Sequence, residues 1–170
     1  MPAPQQRGDD EPKRSRTATR RATARGLVAA MAVTGVRTVT QNAGLLEESP
    51  PDAILERWAP RLVKRLSVQH RAVVRELLHW SYGAAGGGAF GVLPTKVRSH
   101  PLSGPVYGTL VWLGFELGVA PLLDLRSVRQ NHVVGRAMVA LDHALYGLVV
   151  AGRLAPEPEV AARVAGRRPA

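Results

Sequence analysis

Five ionisable residues interrupt otherwise apolar stretches of this sequence: Arg37, His79, Glu116, Asp142 and His143. Two histidines and a carboxylate can bind a divalent metal or pass a proton. An arginine and a glutamate can form an ion pair inside a low-dielectric interior. Asp142 and His143 are sequence neighbours, so a helix points them to different faces, which weakens a shared metal site. Hydrogen bonding of each His to a Tyr or a backbone carbonyl on another helix is the favoured role. Proton chemistry ranks second and metal binding last. The chain has no G-x-S-x-G, no Walker lysine and no H-E-x-x-H. The expectation is a protein that is not an enzyme, with no catalytic residue, metal or cofactor.

The histidines belong to a repeated pattern. His79-Trp80-Ser81-Tyr82-Gly83 and His143-Ala144-Leu145-Tyr146-Gly147 both read H-x-x-Y-G, 64 positions apart. On a helix, positions i, i+3 and i+4 share a face. His, Tyr and Gly then lie together, and the Gly admits a neighbouring backbone. The first copy continues through Gly86 and Gly87. Gly104 and Gly108 make a further small-residue row, and Gly114 and Gly118 another, in the manner of small-xxx-small helix contacts. A nucleotide-binding reading of the glycines at 86–91 needs a preceding strand, and none is indicated.

The elements that must carry these residues are apolar segments at 26–46, 77–93, 106–125 and 138–154. Each has about the 17–25 residues that a hydrocarbon core requires. Together they predict an all-α integral membrane four-helix bundle built from two repeated helical hairpins, covering residues 26–154. An amphipathic connector helix is expected at 52–66, with Ile54, Leu55, Trp58, Leu62 and Leu66 on one side and a kink at Pro60. The repeat places Arg37 and Glu116 at similar depth, and predicts that they pair. Gln41, Asn42, His79, Asp142 and His143 are expected to form a polar pocket near one end.

Charge lies mainly outside these segments. The formal net charge is +10, and seven basic residues precede Gly26. Residues 1–25 read as a disordered basic arm. An apolar stretch follows at once, so the arm suits anionic lipid head groups and a cytoplasmic N-terminus. It has no aromatic residue to stack on bases, which disfavours nucleic acid. Residues 155–170 read as a flexible tail. A modest excess of Lys and Arg on the side of the two ends favours both termini in the cytoplasm. With no cysteine, redox compartment cannot be read.

H-x-x-Y-G-A-A-x-G-x-x-x-G at 79–91, P-x-x-G-x-x-V-W from Pro105 with an acid and a proline beyond, and H-x-x-Y-G at 143–147 resemble the YagU-like family of small bacterial inner-membrane proteins. The resemblance spans roughly residues 26–152. It implies a four-span helical protein of the bacterial cytoplasmic membrane with no settled activity. The leading expectation is an interaction or scaffold protein in the lipid bilayer, as a homodimer or with another membrane protein. Alternatives are a dimeric transport or proton-handling protein that uses the buried charges, and a soluble helical nucleic-acid binder.

Overall fold

The computed structural model describes residues 6–44, 50–125, 133–153 and 166, and these contain helices and turns but no strand. The order is α1 (Gln6–Asn42), α2 (Pro50–Trp58), α3 (Pro60–Arg65), α4 (Val68–Gly91), α5 (Thr95–Arg98), α6 (Ser103–Gly114), a π-helical turn (Phe115–Val119), α7 (Ala120–Leu122) and α8 (Val133–Val150). The all-α expectation is met.

Helix α1 runs beside α4, and α6 beside α8, while α1 also touches α8. Glycines set both seams. A Cβ on Gly87 would meet the Gly26 Cα at 3.0 Å, and one on Gly83 would meet the Gly26 carbonyl oxygen at 2.9 Å. Across the second seam, a Cβ on Gly104 would meet the Gly147 carbonyl oxygen at 2.8 Å. Backbones this close exclude any side chain at the seam. Half of the buried apolar residues are correspondingly small, Ala18, Ala22, Ala29, Ala30, Ala120 and Ala151, beside Leu55, Val63, Phe90, Leu125, Tyr146 and Val150. The main cluster joins Ala22 and Ala29 of α1 to Phe90 of α4 and to Tyr146 and Val150 of α8. Phe90 packs edge-on against Tyr107 of α6, their ring centroids 5.1 Å apart.

Element ends follow local chemistry. Gly44, at φ 71°, takes the left-handed conformation just past α1, and Gly152, at φ 66°, does the same past α8. Ser67 caps α4, its hydroxyl accepting from the His70 backbone N–H. Pro121 has no N–H to give Leu117, four residues back, and its ring crowds that carbonyl. The chain absorbs this as the π-helical turn immediately before α7.

Several expectations are corrected. The arm is helical from Gln6 onward, not disordered. Its Ala18 and Ala22 are buried. Gly87 and Gly91 leave room on α4 that Ala22, Gly26 and the Thr19 backbone fill. The connector is two helices, not one bent helix, with the break at Ala59 ahead of Pro60. Leu55 and Val63 face inward, and Trp58 stays largely exposed. The tail at 155–170 lies outside the described residues apart from position 166.

Of the four apolar segments, two belong to helical stretches long and apolar enough to cross a membrane among the described residues, Ser103–Leu122 and Val133–Val150. In α1 the apolar segment is diluted by Arg37 and by threonine, glycine, Gln41 and Asn42. In α4, glycine dilutes the apolar content and Arg71, Arg75 and Glu76 occupy its first half.

Candidate functional site: a polar core between four helices

The core begins at Thr34 and Arg37, one turn apart near the C-terminal end of α1. Glu76 lies opposite on α4. Arg37 Nη2 donates to Glu76 Oε1 at 2.6 Å, with only 10% and 17% of the two side chains exposed. Thr34 Oγ1 donates to the other carboxylate oxygen, Oε2, at 2.8 Å. Arg75 Nε reaches Oε1 at 3.0 Å from the rim. Trp80 Nε1 donates to Thr34 Oγ1 at 3.2 Å, tying the next turn of α4 to the same group. Every oxygen of this carboxylate is therefore occupied, as a buried charge requires.

The expected Arg37–Glu116 pair is thus replaced by Arg37–Glu76. The antiparallel α1–α4 seam fixes a register in which Gly26 meets Gly83 and Gly87. Continuing that register toward the C-terminus of α1 brings Arg37 level with Glu76. Glu116 comes from the π-helical turn, and its charge acts on His143.

His79 lies one turn beyond Glu76 and hydrogen-bonds to the Ala30 backbone, while its Nε2 is buried without a hydrogen-bond partner. The charges of Arg37, Glu76 and His143 all reach it. Asp142 is 8% exposed and lies in the field of Arg37. His143 follows it on α8. The His143 backbone carbonyl abuts Gly108 of α6, and Nδ1 is 2.9 Å from the Val139 carbonyl. The core thus draws on α1, α4, the π-helical turn and α8. Asn42 is exposed and does not join it, and the Gln41 side chain lies outside what is described. No group of three or more His, Asp or Glu residues suited to a metal occurs among the described residues.

The tyrosines work above this core. Tyr146 donates to the Gly83 carbonyl at 2.6 Å, and Tyr107 to the Gly86 carbonyl at 2.5 Å. The two hydroxyls join the α6–α8 pair to α4, and Gly86 is the surface on which the Tyr146 hydroxyl rests. Tyr82, the counterpart of Tyr146 in the repeated pattern, is half exposed instead. Of the predicted packing glycines, Gly83, Gly87, Gly104, Gly108 and Gly147 lie in seams. Gly114 and Gly118 have open space around them.

Sequence reading missed Glu76, Thr34 and Tyr107. Glu76 fell at the edge of a basic, polar segment, where hydropathy assigns it to a connector. The signal that would have found it is its spacing from His79, which puts both on one face of α4.

At the opposite end of the bundle, basic side chains serve as structure. Arg98 is 5% exposed and donates from Nε to the Leu93 carbonyl at 3.0 Å. Arg153 Nη2 reaches Ser103 Oγ at 3.0 Å, and the Arg25 guanidinium lies over Gly152 at the C-terminus of α8. A cation there complements the helix dipole.

No family model, curated protein or solved structure matches this chain.

Proposed function

We propose that this chain is a small multi-pass protein of the bacterial cytoplasmic membrane, acting by association with other membrane-embedded helices, its own copies included. One observation carries the reading. The stretch Ser103–Leu122 is long and apolar enough to span a bilayer, yet only 11% of its apolar window is buried inside the fold. A core helix of a water-soluble protein has the same composition because its neighbours cover it. Here Val106, Leu110, Leu117 and Leu122 all point outward. In water such a surface is costly, at about 25 cal/mol per Å² of apolar area. In lipid it is the expected outer face.

The rest of the bundle supports the reading. Val28, Val36 and Val39 on α1, and Val73, Leu77 and Leu78 on α4, are exposed apolar side chains on a pair of helices joined by glycine and alanine. Small-residue seams hold helices by close backbone contact where no hydrophobic driving force exists between them. Four spans made of two related hairpins extend the same proposal. Gly83 and Gly87 meet α1 much as Gly147 and Ala151 meet α6, the matched positions being 64 apart. Both termini on the cytoplasmic side, with the basic arm against anionic head groups, and the YagU-like resemblance belong to this proposal too.

Fractionation tests it. The protein should sediment with membranes, resist an alkaline wash and need detergent for release. Recovery as a monodisperse species in the soluble fraction without detergent sinks the membrane reading. Since the chain has no cysteine, single cysteines at Gly44, Pro101 and Gly166 can report sidedness. Positions 101 and 166 should label from one side and 44 from the other.

A further inference from the structure

Arginines tie the helix ends together at the end of the bundle away from the Arg37–Glu76 pair. The Arg25 guanidinium of α1 lies over Gly152, just past α8. The next residue, Arg153, donates from Nη2 to the His100 carbonyl and to Ser103 Oγ at the start of α6. Ser103 Oγ donates in turn to the Arg98 carbonyl at 3.0 Å, and Arg98 Nε donates to the Leu93 carbonyl past α4. One run of contacts therefore links α1, α8, α6, α5 and α4 through three guanidinium-bearing residues. The stretches that build this junction, 12–46, 77–115 and 143–156, contain neither Asp nor Glu.

The exposed side chains around the junction are of two kinds. Arg16, Arg20 and Arg21 on α1 and Lys96 on α5 are cations. Val92, Val97 and Leu102 are aliphatic and 48–67% exposed. Cations beside exposed aliphatic groups suit a phospholipid, whose phosphate takes up the charge and whose chains cover the aliphatic groups. Free phosphate would leave the aliphatic groups in water.

We propose that this junction binds anionic phospholipid, with Arg20, Arg21 and Lys96 at the lipid phosphates, Val97 and Leu102 against the chains, and Arg98 and Arg153 holding the helix ends that present them. The inference rests on the membrane reading and narrows the head-group contact from the whole basic arm to this folded end. Helix α1 runs unbroken from Gln6. At about 1.5 Å per residue, Arg7 stands about 20 Å along the axis from Arg20. Charges that far off are screened, the Debye length being about 8 Å at physiological salt.

Native mass spectrometry of the detergent-solubilised full chain, offered equal amounts of phosphatidylglycerol and phosphatidylcholine, tests it. The wild type should retain phosphatidylglycerol in preference. Arg20→Gln/Arg21→Gln/Lys96→Gln changes exposed positions only and should cut the preference roughly 100-fold, about fivefold per cation. Two controls remove the same charge elsewhere, Arg7→Gln/Lys13→Gln/Arg14→Gln on the arm and Arg57→Gln/Arg61→Gln/Lys64→Gln on the connector, and both should keep most of it. Equal losses in all three variants would mean attraction by net charge alone and overturn the proposal. So would displacement of the lipid by an equal concentration of inorganic phosphate. If the first triple variant does not fold, Lys96→Gln alone decides, and an unchanged preference counts against the site. A wild type that stays in the membrane pellet yet shows no lipid preference overturns this inference while leaving the membrane reading intact.

Discussion

Glu76 and Arg37 meet at 2.6 Å across the α1–α4 seam, 39 residues apart in sequence and on two helices that share little besides alanine and glycine. The pair is the main polar link of that seam. Removing one partner leaves the other buried and unmatched, which typically costs about 3–5 kcal/mol. Glu76→Met and Arg37→Met should each lower the unfolding midpoint strongly. The double variant Arg37→Met/Glu76→Met should recover most of the loss. Chemical denaturation of the four proteins closes the cycle, and simple addition of the two single effects would show that the residues do not act as a pair.

The glycines divide into two groups with opposite expected responses. A Cβ at Gly108 would meet the His143 carbonyl carbon at 2.7 Å and the Gly147 nitrogen at 3.1 Å, and backbone cannot rotate away. Gly108→Ala should destabilise by about 1–3 kcal/mol through overpacking. Gly114 has nothing within 4 Å. Gly114→Ala should be neutral or stabilising by up to about 1 kcal/mol, since Ala loses less backbone freedom in a helix. Thermal midpoints of the two variants, measured side by side, discriminate.

Two tyrosines matched in the sequence pattern should behave differently. Tyr146 is buried and donates to the Gly83 carbonyl. Tyr146→Phe leaves that buried carbonyl short of a partner, at a cost of about 1–3 kcal/mol. Tyr82 is half exposed, and Tyr82→Phe should fall within about 0.5 kcal/mol of wild type. Equal losses at both positions would mean that Tyr146 does not bridge to α4.

Pro121 should be the cause of the π-helical turn. Replacing it with alanine restores an N–H four residues beyond Leu117 and removes the ring clash. Amide exchange around Phe115–Val119 should slow in Pro121→Ala as an ordinary helical ladder forms. Unchanged exchange there would point to a different origin for the turn.

The sequence exposed some of this directly and hid the rest for definable reasons. Glycine spacing located the seams, because close backbone approach demands glycine and little else substitutes for it. Gly83, Gly87, Gly104, Gly108 and Gly147 all sit where two helices touch. Gly114 and Gly118 have the same spacing but no partner, since spacing defines a face without saying what covers it. Arg37 is visible as a buried charge, but matching depth in the repeat points to Glu116 as its partner, and hydropathy leaves Glu76 with the arginines before it. The polar composition of residues 1–25, rich in Pro, Gln, Asp, Arg and Thr, reads as disorder. A helix forms there instead, with Ala22 fitting against Gly87 and Gly91, the Thr19 backbone against Gly91, and Ala18 buried.

A seam of alanine and glycine has no side-chain torsions to immobilise. Most packed interfaces lose rotamer entropy for every leucine or methionine they order, up to about 2 kcal/mol for the longest side chains. Where Ala22, Gly26 and Ala30 lie against Gly83 and Gly87, that loss is zero. The two helices can come together or separate without any side chain having to find its place. Alignment of the seam is then governed by the few groups that do carry torsions and direction, Thr34 and Arg37 of α1 against Glu76 and Trp80 of α4.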